Sequence, residues 1–181
     1  MAVIPDTPEG LRDRAIVLTL VLTGRRRTEI LNLKAGDLSM DGGLFYNYRG
    51  KGGKQAKREL PRPAFDAIEA SLAAWGKSLA SMGPEDSLWP SRCSARDGAG
   101  LSSGAFYARF RRYMEKAGLA PAGVHILRHA AAKLRREAGE SVEDVSRFLD
   151  HSSLQVTTVY LRRLEGQEDR GWGKVAKALG V

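Results

Sequence analysis

The sequence holds a single cysteine, Cys93, and no stretch approaching the roughly 18 consecutive apolar residues that a membrane-spanning helix requires. A lone cysteine excludes an intramolecular disulfide, and without a second one nearby a structural zinc site of the usual spacing is not expected. Residues Met1–Gly10 lack the basic-then-apolar pattern of a secretory signal, so the expected location is the cytoplasm, with no membrane contact. Acidic residues fall short of basic ones, 21 against 29, leaving a formal charge of +8 over 181 residues. That surplus makes a polyanion the leading partner, whether bound or cut. At 43% hydrophobic and 28% charged, the chain can bury one sizeable core. It is sized for one domain, with or without a short appendage.

Capping residues and periodicity divide the chain. Asp6-Thr7-Pro8-Glu9 predicts a helix start, the apolar run Ala15–Leu22 its body, and Thr23-Gly24 its end. A basic triplet, Arg25-Arg26-Arg27, leads into the short apolar piece Ile30-Leu31-Leu33. Leu44–Tyr48 and Lys57–Leu60, joined by the turn Gly50-Lys51-Gly52-Gly53, predict a β-hairpin. From Phe65, the positions Ile68, Leu72, Trp75 and Leu79 repeat at helical spacing, and the Pro/Gly/Ser-rich segment 82–104 reads as a long connection. Phe106, Phe110, Tyr113 and Ala117 mark another helix stopped by Gly118. His125–Ala138 follows, stopped by Gly139. Ser141 with Asp144 and Ser152 with Gln155 place short helices at about 142–149 and 153–163. Trp172, Val175 and Leu179 form the stripe of a last short helix. The expected fold class is α+β, predominantly helical, with a small antiparallel β-sheet or hairpin.

Four islands carry the residue types of phosphate chemistry: Thr23–Glu29, Gly50-Lys51-Gly52, His125-Ile126-Leu127-Arg128-His129, and Leu149-Asp150-His151 with Tyr160. Taken singly they are unremarkable: an Arg triplet is usually a solvated face, a Gly-Lys-Gly-Gly a hairpin turn, a histidine a packed or surface residue, and Tyr160 a core aromatic. Gly76-Lys77-Ser78 imitates the tail of a nucleotide-binding loop, but position 71 is Ser where Gly is required, and the spacing predicts that the segment lies inside a helix.

In this order the islands resemble the catalytic domain of the tyrosine recombinases, the phage-integrase family. The family pattern Thr-Gly-Leu-Arg-x-Ser-Glu-Leu is similar to Thr23–Ile30, His-x-Leu-Arg-His to His125–His129, and Leu-Gly-His-Ser-Ser…Thr-Thr…Tyr to Leu149–Tyr160. The likeness runs from about Leu11 to Arg163. It implies that Arg26 and Arg128 clamp the phosphate, that Lys51 is the hairpin lysine with Lys54 as its competitor, that His125 and His151 are the two histidines of the site, and that Tyr160 is the nucleophile. Glu29 becomes a supporting partner of the first arginine. Arg25, Arg27, Lys54, Arg111 and Arg112 are expected to contact DNA, with Arg135 and Arg136 available to the flanking backbone. The implied layout is a catalytic domain over 1–165 and a linker with a short helix over 166–181, a candidate segment for exchange between protomers. The family's N-terminal core-binding domain is not in this chain, which reads as a catalytic domain taken from a longer protein. Double-stranded DNA is the expected partner, with a tetramer on DNA for the full-length protein and a monomer or weak oligomer for the lone domain.

These residue types suit the reaction. Two guanidinium forks can bind the non-bridging oxygens of a phosphodiester bidentately where lysines act only as point charges. His125 and Arg128, three apart on a helix, lie on one face. A tyrosine with a solution pKa near 10 costs about 4 kcal/mol to ionise at pH 7, which nearby positive charge and a general base can offset. No metal and no cofactor are expected. A type IB topoisomerase-like enzyme and an inactive DNA-binding relative are the alternatives. Two departures stand out: Asp150 occupies a position usually Gly, and Arg25 and Arg27 flank Arg26 where apolar residues are common.

Overall fold

A computed structural model describes residues 1–53, 55–92 and 100–151, with Lys51 described by its backbone alone. Two compact units divide the chain, residues 1–131 and 132–181.

The first unit is built on α1 (Pro8–Thr23). Thr7 caps its start by accepting from the Gly10 N–H at 3.1 Å, and Pro8 fills the first turn, where its missing N–H is not needed. Gly24 ends it in the left-handed conformation, φ 63, with its N–H returned to the Leu20 carbonyl at 2.9 Å. One turn later α2 (Arg27–Leu31) begins. Three antiparallel strands follow, β1 (Leu38–Ser39), β2 (Phe45–Arg49) and β3 (Gln55–Glu59), in the order β1-β2-β3. The register pairs Tyr46 with Arg58 and Tyr48 with Ala56. Alternation buries Tyr46 and Tyr48 and leaves Asn47 and Arg49 outside. The hairpin was legible in sequence; β1, two residues long, was not.

Helix α3 (Arg62–Ala74) packs along α1, and α4 (Ser103–Lys116) begins at the Ser102 cap. The sequence spacing carried α3 on to Leu79, but the helix stops at Ala74. Gly76 takes φ +67, and Leu79 falls in a separate 3-10 turn. Gly76-Lys77-Ser78 therefore lies beyond the helix rather than inside it. Trp75, at the end of α3, donates its Nε1–H to the Pro8 carbonyl at 3.0 Å and ties the two helices together. Segment 82–104, expected to be a plain connection, supplies two fully buried residues, Leu88 and Trp89, to the core. The indole N–H of Trp89 donates to the Ile30 carbonyl at 2.6 Å and satisfies the end of α2. Ile16, Leu20, Ile30, Ile68, Leu72, Trp89 and Phe106 form the centre of this core.

Helix α5 (His125–Glu137) starts in the first unit and ends in the second. In the second unit Ala132, Val145 and Leu149 are buried together, with Val142 and Phe148 against them. Helix α6 (Val142–Phe148) is capped by Ser141, whose hydroxyl accepts from the Asp144 N–H at 3.0 Å, as the spacing predicted. Arg135 pairs with Glu140 at 2.6 Å and Arg136 donates to the Glu140 carbonyl, both turning back on their own chain. The expected helix at 153–163 and the Trp172–Leu179 helix lie outside the described residues. The fold is thus a mainly helical α+β arrangement with a small antiparallel sheet.

Candidate active site

The turn between α1 and α2 collects the first group. A left-handed glycine at position 24 reverses the chain, and residues 25, 26 and 27 leave the turn in three different directions. Arg26 stands immediately before α2, φ −71 and ψ 149, with a side chain 37% exposed. Glu29, buried one turn into α2, holds it at two points: Oε2 accepts the Arg26 backbone N–H at 2.7 Å, and Oε1 accepts Nη1–H at 2.8 Å. A carboxylate so placed fixes a guanidinium by charge-assisted bonds and favours the helix start. Glu29, which the resemblance implied as a supporting partner of the first arginine, thus contacts both the backbone and the side chain of Arg26.

Arg128 reaches the same turn from α5. It is 8% exposed, and its Nη1–H donates to the Gly24 carbonyl at 2.6 Å. The two arginines, a hundred residues apart in sequence, are both fastened within Gly24–Glu29. His125 opens α5 and is exposed on the helix turn that carries Arg128. His129, one turn on, was not among the residues singled out from sequence, although its i,i+4 relation to His125 was readable. Burial pushes its imidazole below the ordinary histidine range, and the neighbouring His125 and Arg128 add to the shift.

Lys51 opens the 3-10 turn Lys51–Gly53 at the tip of the β2–β3 hairpin. Gly52 and Gly53 take φ 75 and 76, a region that glycine enters without penalty, and no neighbouring atom crowds them. Lys54 and the Lys51 side chain lie outside the described residues.

Arg25 departs from expectation. It is only 3% exposed, so it is not available as a surface contact to DNA. Its Nε–H donates to the Thr23 carbonyl at 3.1 Å, its Nη1–H to the Tyr48 hydroxyl at 2.5 Å, and its guanidinium carbon sits 5.0 Å from the Tyr48 ring centroid. Arg27 lies over the Tyr107 ring of α4 at 6.0 Å. Arg111 and Arg112 are exposed on α4 and line, with Tyr107, Leu119 and Pro121, a shallow groove of about 540 Å³.

In the second unit, α6 ends in a six-residue reversal: the His151 N–H returns to the Ser146 carbonyl and the Asp150 N–H to the Arg147 carbonyl, each at 3.1 Å. Asp150 occupies the left-handed position, φ 50. This explains the glycine usual there, since aspartate is one of the few other residues to enter that region. The Arg147 side chain pairs with Asp144. His151 emerges directly from this reversal. Ser152–Tyr160, and with them the expected nucleophile, lie outside the described residues. Among the described residues no group of three His, Cys, Asp or Glu is disposed to hold a metal ion, and no helix is long and apolar enough to cross a membrane.

Residues 1–166 match the phage integrase family. The chain is 33% identical over 162 residues to tyrosine recombinase XerA of Thermococcus kodakarensis, covering 90% of this chain and 54% of that protein. It is 31% identical over 156 residues to tyrosine recombinase XerD of Ralstonia nicotianae, covering 86% and 49%. The chain spans about half the length of these curated relatives. Among solved structures, the XerH site-specific recombinase bound to difH substrate in a pre-cleavage complex superposes with a TM-score of 0.66 at 25% identity, over 89% of this chain and 45% of that one. With the arginine turn, the hairpin and the His-x-x-Arg helix all in the family's order, the chain belongs to the phage integrase family, the tyrosine recombinases.

Proposed function

We propose that the chain is the catalytic domain of a site-specific DNA recombinase or integrase acting on double-stranded DNA. The observation that carries this reading is the fastening of two guanidinium groups to one turn, Arg26 through Glu29 and Arg128 through the Gly24 carbonyl. Preorganised arginines of this kind favour the extra negative charge that develops on a phosphodiester under attack. Tyr160 supplies the nucleophile: its oxygen bonds to phosphorus, its proton passes to His125 as general base, and the bond from phosphorus to the 5′ oxygen breaks. Lys51 protonates that departing oxygen. The products are a 3′-phosphotyrosyl link and a free 5′-hydroxyl, and attack by a 5′-hydroxyl of a partner strand reverses the steps. The covalent link conserves the phosphodiester, so rejoining needs no nucleotide. His151 hydrogen-bonds the same phosphate. The XerA and XerD relatives and the substrate-bound XerH recombinase support recombination as the activity. Self-association on DNA belongs to the longer protein, in the cytoplasm, and residues 166–181 are the candidate segment for exchange between protomers.

The test uses a DNA duplex nicked beside the cleavage position, so that the cut strand loses its 5′ end and the covalent complex accumulates. The expected result is a protein–DNA adduct that Tyr160→Phe abolishes and that Arg26→Ala or Arg128→Ala slows by roughly 10²–10³. An adduct that survives Tyr160→Phe removes the nucleophile assignment. Relaxation of supercoiled DNA without regard to sequence favours the topoisomerase-like alternative instead.

A further inference from the structure

Arg25 stands where the family pattern carries an apolar residue, yet it is buried as deeply as one. Its neighbours in sequence are the two residues on which the candidate site depends: Gly24, whose carbonyl holds Arg128, and Arg26, held by Glu29. Its side chain runs the other way, into β2. There the guanidinium meets the Tyr48 hydroxyl at 2.5 Å and the face of the same ring at 5.0 Å, while Nε–H stays on the Thr23 carbonyl at 3.1 Å. A planar fork with several donors can serve both ends at once; an ammonium cannot. Tyr48 is itself fixed, 5% exposed and stacked on Tyr46 with ring centroids 5.5 Å apart. It lies three residues before Lys51, on the strand that leads to the hairpin tip.

We propose that Arg25 is a positioning residue that latches the arginine turn to the β2–β3 hairpin through Tyr48, setting where the hairpin lysine stands relative to the phosphate held by Arg26 and Arg128. The two strands end in a glycine-rich turn where a Cβ added at Gly52 or Gly53 would meet no neighbouring atom. A hydrogen bond from a buried charge to a buried hydroxyl is directional in a way that an apolar contact is not, so the latch fixes an angle as well as a separation. The assignment of Lys51 as general acid rests on the function proposed above.

Tyr48→Phe removes the hydroxyl and keeps the ring; Arg25→Leu removes the latch in favour of the residue type common at this position. On the nicked duplex, each is expected to slow adduct formation about tenfold while the Kd for DNA changes less than twofold. When the 5′-bridging oxygen of the scissile phosphate is replaced by sulfur, the leaving group departs without a proton. Both variants are then expected to come within twofold of the unaltered chain, because the displaced group is the general acid. A raised Kd makes Arg25 a DNA contact and overturns the latch; an unchanged rate, or a slow rate that sulfur does not rescue, overturns it too. If the unaltered chain forms no adduct on any DNA, the proposed function fails, and hydrogen exchange then decides the latch separately. Tyr48→Phe is expected to speed exchange both in β2–β3 and at Arg27–Leu31 across the latch; acceleration confined to the strands overturns the proposal.

Discussion

Replacing Asp13 with alanine is the sharpest test of how the first unit is held together. Asp13 is completely buried in α1, and four donors converge on its carboxylate. Arg12 supplies Nε–H at 3.1 Å and Nη2–H at 2.8 Å to Oδ1. From α4, the Tyr113 hydroxyl donates to Oδ2 at 2.7 Å and Arg109 pairs with the same oxygen. Arg12 is 2% exposed, and its Nη1–H also reaches the Pro90 carbonyl at 2.6 Å. Without Asp13 that guanidinium keeps one carbonyl and the Trp75 ring 5.7 Å away, but no carboxylate. Removing one partner of a buried ion pair typically costs about 3–5 kcal/mol, because the remaining charge stays out of water. At about 2–4 °C per kcal/mol for a chain of this size, Tm is expected to fall by about 10 °C. The same network sets a pH limb. Burial, then the hydrogen bond to Asp13, pushes the Tyr113 phenol up to about 12. The folded state thus keeps a proton that the unfolded chain releases near pH 10, so stability from this group is present below about 10 and is lost as pH rises toward 12. Thermal and denaturant melts of wild type and Asp13→Ala between neutral pH and pH 11 read both effects. A loss below about 1 kcal/mol at neutral pH would refute the reasoning, since it would mean Arg12 recovers its solvation without its partner.

Three further expectations follow from single contacts. Glu29→Gln keeps the shape but removes the charge that pins Arg26, so adduct formation on nicked DNA is expected to slow about tenfold with Tm little changed; an equal loss of Tm and rate would make Glu29 a purely structural residue. His129, its pKa lowered by burial and by His125 and Arg128, is neutral in the fold at a pH where the unfolded chain takes up a proton. Stability is therefore full above about 6.5 and declines as pH falls below it, and His129→Asn is expected to flatten that decline in melts at pH 7 and pH 5. Asp150→Gly relieves a left-handed φ of 50 and is expected to raise stability by about 0.5–1 kcal/mol, read from denaturant midpoints at constant m.

Parts of the fold were legible because local chemistry alone decides them. Thr7, Pro8 and Gly24 bound α1 wherever it packs, and the Gly-rich turn with its alternating flanks makes a hairpin. The rest depended on partners distant in sequence. Trp75 and Leu79 continue the apolar spacing of α3, but the helix has already ended there, because Trp75 is drawn to the Pro8 carbonyl and Gly76 adopts φ +67. Strand β1 is two residues long and exists only by pairing with Phe45 and Tyr46. Leu88 and Trp89 sit in a stretch with no periodicity, and nothing local announces that an indole N–H will find the Ile30 carbonyl.

The arginine triplet shows where reading by residue type stops. Three consecutive identical side chains after a glycine give no local reason to differ; the family pattern alone set Arg26 apart for the phosphate and left Arg25 and Arg27 as expected DNA contacts. A helix would have spread them around its axis at about 100° each; a left-handed reversal followed by an extended residue separates them further, onto different neighbours. Arg25 goes inward to Tyr48, Arg26 to Glu29 beside the surface, and Arg27 across to Tyr107. The sorting is done by what each direction meets: a tyrosine hydroxyl in the core accepts a fork, a buried carboxylate holds one half-exposed, and an aromatic face supports one from below. Arg26 is held by a buried carboxylate with its guanidinium partly open to solvent. Arg25 and Arg27 each lie over an aromatic ring, Arg25 within the core beside Tyr48 and Arg27 beside Tyr107.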